Sequence, residues 1–127
     1  MRDVSPGGHE LSGATVEDLP ERASLREILV NRVHAEVAAY NLDPGPVYRG
    51  LVPPEDAVRY TDGFRMSRPR PLDADHLLTA VEEAAGAGVV AFRIGDDTVT
   101  DLDHEVDVEA VDLITMVLHR PIVARVP

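Results

Sequence analysis

Cysteine does not occur in the chain, which removes disulfides, thiol nucleophiles, zinc fingers and iron–sulfur ligation by its own residues. Lysine is missing as well: all 12 basic residues are arginine. Schiff-base catalysis and a Walker-type phosphate loop each need a lysine, so neither is open to this chain. No apolar run reaches the roughly 18 residues of a membrane span, and "MRDVSPGGHE" lacks the charged-then-apolar order of a secretory signal. A cytoplasmic protein without membrane association is the expectation. Neither a G-x-S-x-G elbow nor an H-E-x-x-H pair is present, and "GAG" is too short for a dinucleotide loop. The sequence therefore implies no cofactor and no metal.

Positive charge is scarce, since 23 acids against 12 arginines leave a net charge of −11. Binding a polyanion rests on neutralising phosphates, so this balance argues against a general binder of nucleic acid or anionic membrane. The all-arginine, Ala/Val/Asp-rich usage resembles that of GC-rich bacterial genomes. Charge is also unevenly spread. Asp96 to Asp112 holds eight acids and no Arg, whereas Arg59 to Arg70 holds four Arg and one acid, Asp62. Two regions of opposite sign follow.

A chain of 127 residues is one domain by length. Residues 1–23 mix Pro, Gly, Ser and Glu with isolated apolar residues and no sustained period. They read as a flexible tail, or as a short docking peptide around "ATVEDLP", ahead of a single domain over residues 24–127. Order is expected to begin at "SLREILVNRVHAEVAAYN", where Ser24 and Glu27 have the spacing of a capping box. Leu25, Ile28, Leu29, Val33, Val37 and Tyr40 then recur at helical intervals, with Arg26, Arg32 and Glu36 assigned to other faces. Pro44, Gly45 and Pro46 end this helix. "VYRGLV" and "GFRMS" are short strand candidates around "PPEDAVRYTD", which has room for one helical turn. Asp73 caps a second amphipathic helix carrying Leu77, Leu78, Val81, Ala84 and Ala85, stopped by Gly86 or Gly88. "VVAFRI", the "GDD" turn and "TVTDL" predict a hairpin, and "VDLITMVLHR" predicts a central strand. The order predicts an α+β fold, with one mixed sheet packed by two amphipathic helices.

The rhythm of "VVAFRIGDDTVTDLDHEVDVEAVDLITMVL" resembles the closing half of a β-grasp, ubiquitin-like domain: a strand, a tight turn, a short strand, a loop and a final apolar strand. The resemblance spans residues 88–118 and implies a binding module that presents a sheet face or edge. Ubiquitin-like modifiers end in Gly-Gly, whereas this chain ends "PIVARVP", so no conjugation site carries over. The helix from Ser24 to Asn41 is extra to the minimal unit.

"DLDHEVDVEAVD" places carboxylates at the ligand slots of a calcium loop but has Val106 where a sharp turn needs Gly and Asp112 where a bidentate Glu belongs. Calcium is accordingly not expected. An extended segment would instead set Asp101, Asp103, Glu105, Asp107 and Glu109 in a row opposite Leu102, Val106 and Val108. Such a row also guards a sheet edge against pairing with other copies. The opposite cluster combines Arg59, Arg65, Arg68 and Arg70 with Tyr60 and Phe64. Guanidinium groups there can pair with carboxylates and stack on rings. Both point to a non-catalytic adaptor whose partner is another protein or a second copy, with nucleic acid disfavoured by the overall charge. The alternative is a small hydrolase or ligand-binding enzyme using His76 and carboxylates of the acidic loop.

Overall fold

The run Ile114–Leu118 forms a strand in which every residue is buried, and the rest of the fold is arranged around it. In the computed structural model, residues 1–8, 10–17, 19–61 and 63–124 are described; His9, Asp18, Asp62 and Arg125 to Pro127 lie outside this set. In chain order the elements are β1 (Arg2–Val4), β2 (Glu10–Gly13), β3 (Arg22–Ser24), α1 (Leu25–Asn41), β4 (Val47–Tyr48), β5 (Val58–Tyr60), β6 (Gly63–Arg65), α2 (Ala74–Gly86), β7 (Val90–Ile94), β8 (Asp97–Val99), β9 (Glu105–Asp107) and β10 (Ile114–Leu118). Helices and strands in sheets of mixed direction make this an α+β fold.

The largest sheet runs β2-β1-β10-β7-β8, with β1 parallel to β10 and the other pairs antiparallel. β10 is thus central, as its continuous apolar run predicts, and the β7–β8 hairpin forms where "VVAFRI" and "TVTDL" place it. The register sets Asp3, Met116 and Phe92 side by side, and Met116 and Phe92 belong to the core. Ile28, Leu29, Val33 and Val37 of α1 and Leu77 and Val81 of α2 fill the same core. The capping box forms as predicted: the Glu27 N–H donates to the Ser24 hydroxyl and the Ser24 N–H to the Glu27 carboxylate. Asp73 caps α2 through the Asp75 N–H, and Gly88 takes the left-handed φ of 75° just past its end.

Three expectations are corrected. Residues 1–23 are no tail outside the fold, because they supply β1, β2 and most of β3, and Asp3, Val4 and Ala23 are buried. The strands also do not share one sheet. β4, β6 and β5 form a separate three-stranded sheet, and β3 and β9 a two-stranded one. Pro44, Pro46, Pro53 and Pro54 bracket the short strand β4 and cannot donate to a longer ladder. Lastly, "PPEDAVRYTD" contributes β5 where one helical turn had room to form.

Candidate functional site

The arginine cluster folds onto the three-stranded sheet, and its alternation sorts the side chains by face. Arg59, Phe64 and Tyr48 lie opposite one another across the strands, as do Val58, Arg65 and Val47. Phe64 and Tyr48 of the first set are buried, whereas Arg59 is exposed. The Arg59 guanidinium lies 5.2 Å from the Phe64 ring centroid and donates to the Leu11 carbonyl at 2.8 Å, tying this sheet to β2. Its charge is committed inside the molecule. The second set faces outward: Val58 is 58% and Tyr60 53% exposed, and the Arg65 guanidinium stands 5.4 Å from the Tyr60 ring centroid. Arg68 is exposed beyond β6.

Arg70 belongs to a different structure. It donates two hydrogen bonds to Asp56, at 2.9 and 3.1 Å, while the Ser67 hydroxyl donates to the same carboxylate at 2.7 Å. The Arg70 bonds, followed by that of Ser67, hold the Asp56 carboxyl down at about 2. This clamp joins the loop before β5 to the segment after β6. The predicted cluster therefore divides: Tyr60 and Arg65 share the open face of the sheet, Arg68 is exposed in the segment beyond β6, and Arg59, Phe64 and Arg70 hold the small sheet in place.

The acidic row is strand-like only over Glu105–Asp107, where Val106 is buried between two exposed acids. Asp101 and Asp103 sit at a turn in which the Asp101 carboxylate accepts from the Asp103 N–H, and Asp107 likewise accepts from the Glu109 N–H. Arginines from elsewhere reach part of the row. Arg26 bridges Glu82 of α2 and Asp103, and Arg22 of β3 pairs with Glu105 across the ladder at 3.4 Å. These pairs are exposed and contribute little stability, though they cancel charge locally. Asp101, Asp107 and Glu109 stay exposed without an ion pair among the described residues.

A third group was missed. Arg32 and Glu36, assigned by pattern to other faces of the helix, instead lie on its buried side. Arg32 makes a bidentate pair with Asp3, both distances 2.5 Å and both side chains fully buried, and donates from Nε to Glu36 at 3.3 Å. Glu36 also accepts from the Leu51 N–H at 3.1 Å. Burial raises the Glu36 carboxyl above its ordinary range, outweighing the opposite pull of Arg32. Tyr48 lies nearby with its hydroxyl buried and without a hydrogen-bond partner among the described residues; burial and then Glu36 push its ionisation up. A Cβ on Gly50 would collide with the Tyr48 ring and hydroxyl, so a larger residue there displaces the buried Tyr48 side chain. One signal was available in the sequence: Arg32 is three residues after Leu29 and four after Ile28, inside the apolar stripe.

His76 sits in the first turns of α2, partly buried. Among the described residues no three His, Asp or Glu side chains converge as metal ligands, and no helix is long and apolar enough to cross a membrane. No known family profile, curated protein or solved structure matches the chain.

Proposed function

We propose that the chain is a small non-catalytic binding protein, an adaptor, that takes up an acidic patch of another protein on the outer face of its three-stranded sheet. The carrying observation is the exposed Val58–Tyr60 surface with the Arg65 guanidinium over the Tyr60 ring. Aromatic residues and arginine dominate binding energy in protein interfaces, and guanidinium groups both stack on rings and pair with carboxylates. Arg68 adds a second exposed cation in the segment that follows β6. The acidic edge is the lesser contact, carried by Asp101, Asp107 and Glu109, and it suits an arginine-rich surface, including that of a second copy. A β-grasp-like sheet is part of the proposal. Its support is the succession β7, tight turn, β8, loop and β10, with β10 between β7 and β1. The cysteine-free, arginine-only composition supports a cytoplasmic, bacterial setting.

The test is affinity capture from the native host with the wild-type chain and with Tyr60→Ala/Arg65→Ser/Arg68→Ser. Arg70 is left intact because it holds Asp56. A partner retained by the wild type and lost by the triple variant is the expected result. Equal capture by both would remove this face as the binding site.

A further inference from the structure

Residues of two outer strands line one open cleft. β2 is an outer strand of the five-stranded sheet and β4 an outer strand of the three-stranded one. The cleft encloses about 790 Å³, with Gly13 and Thr15 on one wall, Val47 and Arg49 on the other, and Ala35 and Ala39 of α1 on its floor. A smaller hollow of about 240 Å³ shares Gly13, Glu36 and Arg49 with it and continues past Leu11.

The hydrogen-bond ladders show which way the backbone groups of these edges turn. Met1 and Ala14 exchange both backbone bonds, each at 2.9 Å. Bonded and non-bonded pairs alternate along an antiparallel ladder, so Gly13, opposite Arg2, turns its N–H and C=O away from β1. On the other wall, the Met66 N–H donates to the Pro46 carbonyl at 2.8 Å. The next bonded pair is then Tyr48 with Phe64, which leaves the backbone groups of Val47 and Arg49 turned away from β6. Among the described residues these outward donors and acceptors have no backbone partner, and Gly13 and Val47 line the same cleft. At its end the Leu11 carbonyl, on the same edge of β2, is already occupied by the Arg59 guanidinium from the opposing sheet.

We propose that this cleft receives an extended peptide segment of a partner protein, which adds as a strand between β2 and β4 and joins the two sheets. The floor follows α1 from Asn31 to Tyr40, about 14 Å at helical rise, the length of roughly four extended residues. Strand addition draws its affinity from main-chain hydrogen bonds and its specificity from alternate side chains. Over Ala35 and Ala39 the inward residues of the guest are small. Arg32 is already saturated by Asp3 and Glu36, whereas Arg49 has no partner among the described residues and calls for a carboxylate on the guest. Glu17 and Asp43 also line the cleft, so a base is accommodated as well as an acid. This site is separate from the Tyr60–Arg65 face and stands without it.

The test uses a displayed library of random peptides, each of about ten residues to exceed the cleft length, selected on the immobilised full chain. Enriched peptides are titrated against the wild type, Ala39→Trp, Ala35→Trp and Arg49→Glu. Ala35 and Ala39 are exposed, so tryptophan there fills the cleft without entering the core, and circular dichroism checks the fold. The expected result is enrichment, binding weakened about tenfold or more by either tryptophan, weakening by Arg49→Glu of the peptides that carry an acid, and slowed amide exchange at Gly13, Val47 and Arg49. Failure to enrich any peptide, or binding indifferent to both tryptophans, overturns the proposal. Protection confined to Val58–Tyr60 overturns it too, while leaving the Tyr60–Arg65 face in place.

Discussion

At the scale of single residues, the molecule turns on a charged pair where an apolar contact would be the simpler solution. Asp3 stands beside Met116 on the core side of β1, and Arg32 reaches it from α1. Two charges taken from water are tolerated because each satisfies the other bidentately and Glu36 takes the remaining Nε. Removing one partner leaves an uncompensated buried charge. Asp3→Ala or Arg32→Met should therefore each cost about 3–5 kcal/mol in denaturant unfolding, whereas the double variant Asp3→Leu/Arg32→Met should recover most of that loss. A double variant no better than the singles would show that the pair contributes more than mutual compensation.

Asp56 gives a second residue-scale prediction, with a sign that follows from its partners. Hydrogen bonds from Arg70 and then Ser67 lower its folded pKa to about 2. A group depressed on folding contributes stability above its unfolded pKa, near 3.9, and loses that contribution as the pH falls through the folded value. A carboxyl titration followed by NMR should place Asp56 near 2 in the wild type and return it toward 3.9 in Arg70→Gln, with the acid-induced loss of stability between those two values reduced. Glu36 shifts the other way, so its contribution is largest at low pH and falls as the pH rises through its raised pKa.

At the scale of elements, legibility followed the length of the periodic signal. α1 and α2 each carry a cap and several turns of apolar spacing, and β10 is five apolar-to-small residues in a row, so all three were evident from sequence. β1 was not. Three residues carry no alternation that could be distinguished from chance, and its inward residue is Asp3, whose partner lies 29 positions away. β2 and β3 are similarly short, and the acidic stretch was overextended into a single row because the turns at Asp101–Asp103 and Asp107–Glu109 resemble alternation in sequence. The consequence can be tested by deleting residues 1–13. That removes the strand paired to β10 and the counterion of Arg32 together, and the truncated chain should lose cooperative thermal unfolding and aggregate through the uncovered edge. Retention of the full-length melting transition would mean that the N-terminal strands are dispensable.

At the scale of the whole molecule, the separation of sign read from the sequence persists in altered form. Two of the four arginines of the positive cluster are tethers, Arg59 to β2 and Arg70 to Asp56, and Arg22 and Arg26, outside the cluster, bind the acidic edge. That use of cations was invisible in composition, because the partners are up to 83 positions apart. The proposed contact face has Tyr60 exposed beside the Arg65 guanidinium, on a molecule whose net charge of −11 repels anionic partners at long range. The proposed binding there would depend on short-range stacking and paired charges more than on steering. The most direct measurement is amide hydrogen exchange of the full chain, alone and saturated with the partner captured from its host. The account predicts slowed exchange over Val58–Tyr60 and Gly63–Arg65, with the β7–β8 hairpin unchanged. Protection absent from the three-stranded sheet and centred on the β8 edge would contradict it.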